Sequence, residues 1–207
     1  MDKDQEDKEE KDQFEEMIQG LIDNKYGCSN NFIDLSTVTG LRDNIERENQ
    51  SGNLQVSGTG NKQDYQQNAL IRGDKIKWID EKSVNQFEMI YNKKVGNFIS
   101  HLNKTCFTSI KSFESHYANY EPKSFYKRHL DQFKNEKGRK YSIVLFLNQD
   151  WQAEDGGLLS LYPEGSAQQD ISPIGGRMVF FQSDELEHEV HPSFTRDRRS
   201  IAGWLKD

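Results

Sequence analysis

The chain has 207 residues with a formal charge of −7, 33% hydrophobic and 29% charged side chains. That length supports one domain with a buried core, and a mean hydropathy of −0.93 with no long apolar run excludes a membrane-spanning helix. Aromatic residues at 11% argue against disorder throughout, and the acidic balance argues against a nucleic-acid partner.

Residues 1–16 hold nine acidic, three basic and two hydrophobic side chains, an acidic leader that is either a solvated tail or the exposed first turns of a helix. It carries −6 of the −7, so the remaining 191 residues are nearly neutral. Phe14, Met17, Ile18, Leu21 and Ile22 then recur at helical spacing. A second helix is expected from Phe32 to about Glu46. From Asp43 to Asn68 only four of 26 residues are hydrophobic, which predicts a long polar loop. Val84, Phe87, Ile90, Val95, Phe98, Ile99 and Leu102 predict an amphipathic helix over about 83–103.

After Thr105 the pattern turns to strands, expected at 109–120, 126–131, 141–147, 157–162, 177–182 and 199–205. Turn signals such as Asn135-Glu136-Lys137-Gly138 and Pro163-Glu164-Gly165 separate them. Helices first and strands later predict an α+β fold, with a helical layer over 17–104 packed on one sheet of a β-sandwich or jelly roll over about 105–207. Cys28 and Cys106 stand far apart and read as reduced thiols. The start Met1-Asp2-Lys3-Asp4 lacks the apolar core of a signal peptide, so a cytoplasmic protein is expected.

His129-Leu130-Asp131 is the first segment with chemistry in it. On an extended strand, residues two apart project to one side, so imidazole and carboxylate converge. With one more histidine they form the two-histidine, one-carboxylate set that leaves positions open on Fe(II). The segment Phe180–Pro192 offers His188 and His191, of which His191, beside Pro192, reads as a rim or surface residue. Arg198 lies ten residues past His188, either as a buried partner for a carboxylate or as part of a basic surface turn with Arg196 and Arg199.

This order of His-x-Asp, histidine and arginine resembles the 2-oxoglutarate and Fe(II)-dependent dioxygenases. Ile71-Arg72-Gly73-Asp74-Lys75-Ile76-x-Trp78-Ile79, Leu147-Asn148-Gln149-Asp150-Trp151 and Gly156-Gly157-Leu158-Leu159-Ser160-Leu161-Tyr162-Pro163-Glu164-Gly165 are similar to blocks of the hypoxia-inducible-factor prolyl hydroxylases. Phe181-x-Ser183-Asp184 leading to His188-Glu189-Val190 completes the set, in family order over two thirds of the chain.

The resemblance implies a double-stranded β-helix, the cupin-like jelly roll, that uses Fe(II), O2 and 2-oxoglutarate, with ascorbate as reductant. It implies His129, Asp131 and His188 as metal ligands and Arg198 with Tyr120 as the 2-oxoglutarate site. It places Arg72, Asp74, Arg139 and Trp204 at the substrate, with Trp78 on a closing segment and Asp74 paired to Arg139. Two departures stand out. Phe146 occupies the place of a family tyrosine, with Tyr141 or Ser142 as replacements for its hydroxyl, and Glu121-Pro122-Lys123-Ser124-Phe125 replaces a glycine-rich turn.

The implied activity is prolyl 4-hydroxylation of a flexible, proline-bearing loop in a cytosolic protein such as a translation factor or ribosomal protein, by a monomer or weak dimer. Hydroxylation of a free amino acid or other small molecule is the alternative. A non-catalytic binding module is disfavoured, because every ligand position is intact.

Overall fold

The computed structural model describes residues 3–58, 70–132 and 138–207. The 59–68 part of the expected polar loop, and 135–137 of one expected turn, lie outside the described residues. Three helices come first: α1 (Lys3–Asn24), α2 (Leu35–Gln50) and α3 (Gln86–Thr105). Asp34 caps α2 by accepting from the Thr37 amide, and Asn85 caps α3 by accepting from the amides of Phe87 and Glu88.

The eleven strands among the described residues form two antiparallel sheets. The larger runs, in spatial order, β1 (Tyr26–Ser29), β9 (Met178–Gln182), β6 (Arg139–Phe146), β11 (Arg198–Lys206), β4 (Ser112–Tyr120), β3 (Lys75–Ile79) and β2 (Gln55–Val56). The smaller runs β5 (Tyr126–His129), β10 (Glu187–Val190), β7 (Leu159–Tyr162) and β8 (Gln169–Ile171). This is the jelly roll the strand pattern pointed to.

Period-two alternation divides the core in two. Ile143, Leu145, Met178, Phe180, Ile201 and Leu205 turn to the helices, where they meet Phe14, Met17, Leu41, Val95 and Phe98. Val144, Phe146, Val179 and Phe181 turn to the smaller sheet, where they meet Leu159, Leu161 and Val190. One face of the large sheet is therefore closed by helices, and the other is free to build a cavity.

Of the two readings of the acidic leader, the helix is the one observed: it is the start of α1, which runs unbroken through residues 16 and 17, with Phe14 already in the core at 2% exposure. Two sequence expectations are corrected. α2 continues to Gln50 rather than stopping near Glu46, because the polar residues from Asp43 onward lie largely on its solvent side while Asn44 and Ile45 stay buried. Strands also precede Thr105: β1 pairs with β9, and β3 pairs with β4. β1 has only four residues, with no Val, Ile, Leu or Phe, so it left no trace in the pattern. Its Gly27 meets α1 so closely that a Cβ would lie 2.0 Å from the Met17 carbonyl oxygen, which excludes any side chain there.

Candidate active site

His129 ends β5 and His188 sits on β10, and the two are direct partners across the antiparallel pair. Asp131 lies just beyond the end of β5, not on a continuous strand as the spacing suggested, yet its carboxylate returns between the rings. Oδ1 is 3.5 Å from His129 Nε2, and Oδ2 is 3.6 Å from His188 Nε2. The three ligand atoms all lie within 4.8 Å of one another.

The other ring nitrogens fix the tautomers. His129 Nδ1 is 2.7 Å from the Lys127 carbonyl oxygen and His188 Nδ1 is 3.2 Å from that of Leu186. A carbonyl only accepts, so each Nδ1 carries the proton and each Nε2 offers its lone pair. Ser142 Oγ donates to Asp131 Oδ2 at 2.6 Å, and Arg139 Nη1 donates to the Asp131 carbonyl oxygen at 3.2 Å.

Burial lowers His188 to about 4, so its imidazole is neutral near pH 7. Burial alone would raise the Asp131 carboxyl, but His188, His129 and the Ser142 hydrogen bond outweigh it and hold the carboxyl far below its usual range. Two neutral imidazoles and one carboxylate, converging at the edge of a cavity, suit a divalent iron-type ion with sites left open.

Arg198, on β11, is 1% exposed. Its Nε donates to the Gly157 carbonyl oxygen at 2.8 Å, and Nη1 to Ser200 Oγ at 3.3 Å, while Nη2 is buried without a partner among the described residues. The rings of Tyr120 and Phe146 stand 5.2 and 5.1 Å from its guanidinium carbon. Burial lowers Arg198 to about 10, which leaves it a cation at neutral pH. A buried cation with an idle donor calls for an anion such as a carboxylate.

Neither proposed replacement for the missing tyrosine hydroxyl serves that end. Tyr141 points into the helix-side core against Phe180, and Ser142 is engaged with Asp131. The hydroxyl beside Arg198 comes from Ser200, which the sequence reading missed. Its place two residues beyond Arg198 on one strand, and so on the same face, was the available signal.

Arg72 donates to Asp74 through Nε at 2.7 Å and Nη2 at 2.6 Å, and Ser57 Oγ donates to Asp74 Oδ1 at 2.6 Å. The Arg72 guanidinium stacks on Tyr126 at 4.3 Å, and Tyr126 lies flat on His129 with ring centroids 3.6 Å apart. The segment before β3 thus reaches the metal ligands through Tyr126, another residue the sequence reading missed.

The expected Asp74–Arg139 pair does not form. Asp74 precedes Lys75, which pairs with Asn119, whereas Arg139 bonds Glu114 at 3.2 Å. Asn119 and Glu114 are five residues apart on β4, roughly 17 Å along a strand. Arg139 also lies 3.6 Å over the Trp204 ring, and Trp204 sits 6.2 Å from Trp78. Trp78 is 52% exposed and is no core residue.

His129, Asp131, His188, Arg198, Arg72 and Tyr126 line one cavity of about 590 Å3, with Trp78 and Trp204 on one wall. His116, also on that wall, is lowered by burial to about 4.

Acid should therefore destabilise the metal-free protein. Between pH 6.5 and 4 the unfolded chain binds protons at His116 and His188 that the native state refuses. Their contribution is whole above pH 6.5 and is lost as pH falls toward 4, up to ~3 kcal/mol for each. Thermal melts of chelated protein should show Tm falling across that window, with a shallower slope for His116→Phe. A flat Tm would show that these imidazoles are not buried and neutral.

Comparison with known proteins agrees with this geometry. Residues 115–206 match the family model described as the 2OG-Fe(II) oxygenase superfamily. A Pseudomonas putida prolyl-4-hydroxylase superposes with a TM-score of 0.83 at 31% identity, covering 93% of this chain and 98% of that one. A Trichoplax adhaerens prolyl hydroxylase, solved with a hypoxia-inducible-factor oxygen-degradation-domain peptide, gives 0.88 at 28% identity, covering 100% and 94%. Egl nine homolog 1 of Rattus norvegicus is 33% identical over 152 residues, 66% of this chain but 42% of that protein, so the chain spans less than half of this curated relative.

Proposed function

As a member of the 2OG-Fe(II) oxygenase superfamily, the chain is one for which we propose a protein prolyl 4-hydroxylase activity that uses Fe(II), O2 and 2-oxoglutarate. The observation that carries this reading is the joint presence, in one cavity, of the His129–Asp131–His188 set and the idle Nη2 of buried Arg198. When bound, iron with 2-oxoglutarate supplies the oxidation: the keto acid is converted to succinate and CO2, and one oxygen atom enters the proline C4–H bond.

The chain's own residues position and shield. His129, Asp131 and His188 hold the metal, with Asp131 supplying the negative charge and Ser142 and Arg139 setting its orientation. Arg198 pairs with the distal carboxylate of 2-oxoglutarate, flanked by Tyr120, Phe146 and Ser200. Trp204 and Trp78 offer aromatic faces to the substrate, with Arg139 bracing Trp204. Arg72 and Asp74 hold the segment ahead of β3 over the site, which limits access of water to the reacting centre.

A protein substrate suits an aromatic wall whose Trp78 opens to solvent. The reading extends to a cytoplasmic enzyme acting on an exposed proline loop, for example of a translation factor, with ascorbate as reductant and as a monomer or weak dimer. Mass spectrometry of a cell lysate, treated with active protein or with Asp131→Ala, should reveal a proline gaining one oxygen only with the active form. Succinate release stimulated by free amino acids, with no such proline, would transfer the reading to a small-molecule hydroxylase.

A further inference from the structure

His116 lies in the middle of β4, flanked by Trp78 on β3 and Ala202 on β11. It is 3% exposed, with its ring 5.2 Å from that of Trp78 and 5.5 Å from that of Trp204. The wall around it is otherwise apolar: Ile76, Trp78, Ala118, Val144, Ala202 and Trp204. An imidazole in such a wall is costly to desolvate unless both nitrogens are satisfied.

His116 Nδ1 is 3.1 Å from the Tyr117 carbonyl oxygen, so it carries the proton and donates to its own strand. Nε2 is then an acceptor, on a residue that lines the cavity. Among the described residues it has no hydrogen-bond partner. Of the other polar side chains of this sheet face, Ser142 is engaged with Asp131, Arg139 with Glu114 and Ser200 with Arg198, while Trp204 Nε1 and Arg198 Nη2 are donors without a partner among the described residues, which leaves His116 Nε2 as an acceptor for a ligand's donor. Burial keeps the ring neutral at pH 7, so it accepts rather than repels a donor.

We infer that His116 is a specificity-determining residue of the substrate pocket, its Nε2 accepting a hydrogen bond from the main-chain N–H that follows the target proline. Proline has no N–H of its own, so that amide is the nearest main-chain donor on its C-terminal side. A buried acceptor left unmet disfavours any ligand that lacks the donor, which makes the contact selective as well as attractive. The inference rests on the prolyl hydroxylase reading.

The test uses the blocked peptide acetyl-Ala-Ala-Pro-Ala-Ala-amide and its analogue N-methylated on the alanine nitrogen after proline. Both are titrated by ligand-observed NMR against protein loaded with Fe(II) and 2-oxoglutarate under nitrogen. Wild type should bind the methylated peptide roughly tenfold more weakly. His116→Met should bind the unmethylated peptide more weakly and show a smaller ratio between the two, and His116→Gln, which retains an acceptor, should restore the wild-type ratio. The affinity for 2-oxoglutarate should be the same in all three proteins. Because steric effects of the methyl group persist in His116→Met, the change in the ratio isolates the hydrogen bond. Equal binding of both peptides to wild type, or an undiminished ratio in His116→Met, overturns the inference alone. Binding of neither peptide, with 2-oxoglutarate still bound, overturns the proline reading and this inference with it.

Discussion

Asp131→Ala is expected to abolish 2-oxoglutarate turnover, by about 10³-fold or more, while the metal-free protein melts close to the wild type. The carboxylate stands 3.5 and 3.6 Å from the two ligand imidazoles and is the negative member of the set. Without it a divalent cation meets two neutral rings and no compensating charge. A second readout separates metal loss from misfolding. A ligand present at a hundred times its Kd stabilises the native state by about 2.7 kcal/mol, so Fe(II) or Mn(II) should raise the wild-type Tm and leave that of Asp131→Ala unmoved. Asp131→Asn keeps the shape and an acceptor for Ser142 but loses the charge, and should behave like alanine in both assays. If Asp131→Ala kept a tenth or more of wild-type succinate release, the metal assignment would be wrong.

Arg198→Met should raise the 2-oxoglutarate requirement by roughly 10²- to 10³-fold, since truncating one side of a buried charge pair typically costs 2–5 kcal/mol. The same change should leave the free protein as stable as before, or more so. Arg198 is 1% exposed with Nη2 unpartnered, so its desolvation is uncompensated until an anion arrives, and an apolar side chain of similar length removes that penalty. A gain or tie in Tm joined to a loss of cosubstrate binding marks a residue retained for its ligand. Titration of 2-oxoglutarate against succinate release, with melts of the metal-free protein, measures both. An unchanged requirement would show that the distal carboxylate binds elsewhere.

The pattern of residues alone identified the amphipathic stripe of α1, the long helix α3, six of the strands and the metal-ligand candidates. These features repeat at 3.6 or two residues, or sit at short fixed spacing, so they are legible locally. β1, β8 and β10, of three or four residues each, escaped, because so few residues hold at most two periods of the strand repeat and none of these three carries a run of large apolar residues. β10 is the instructive case: it carries His188, which was singled out as a candidate ligand although its strand was not. Asp131 shows the converse, brought to the candidate set by a different local geometry, since β5 ends at His129 and a bend returns the carboxylate.

The candidate ligand set and the arginine near it, the two-layer architecture and the near-neutral charge of all but the first sixteen residues were therefore properties of this sequence read by itself. The partnerships were not. Asp74 bonds Arg72 instead of Arg139, and Ser200 instead of Tyr141 or Ser142 stands at Arg198, because strand register sets which side chains share a face and an end of the sheet. His116 belongs to the same group: nothing in its flanking residues marks it, and its place between two tryptophans arises only when β3, β4 and β11 align. Register is fixed by contacts between segments tens of residues apart, which a local pattern does not contain.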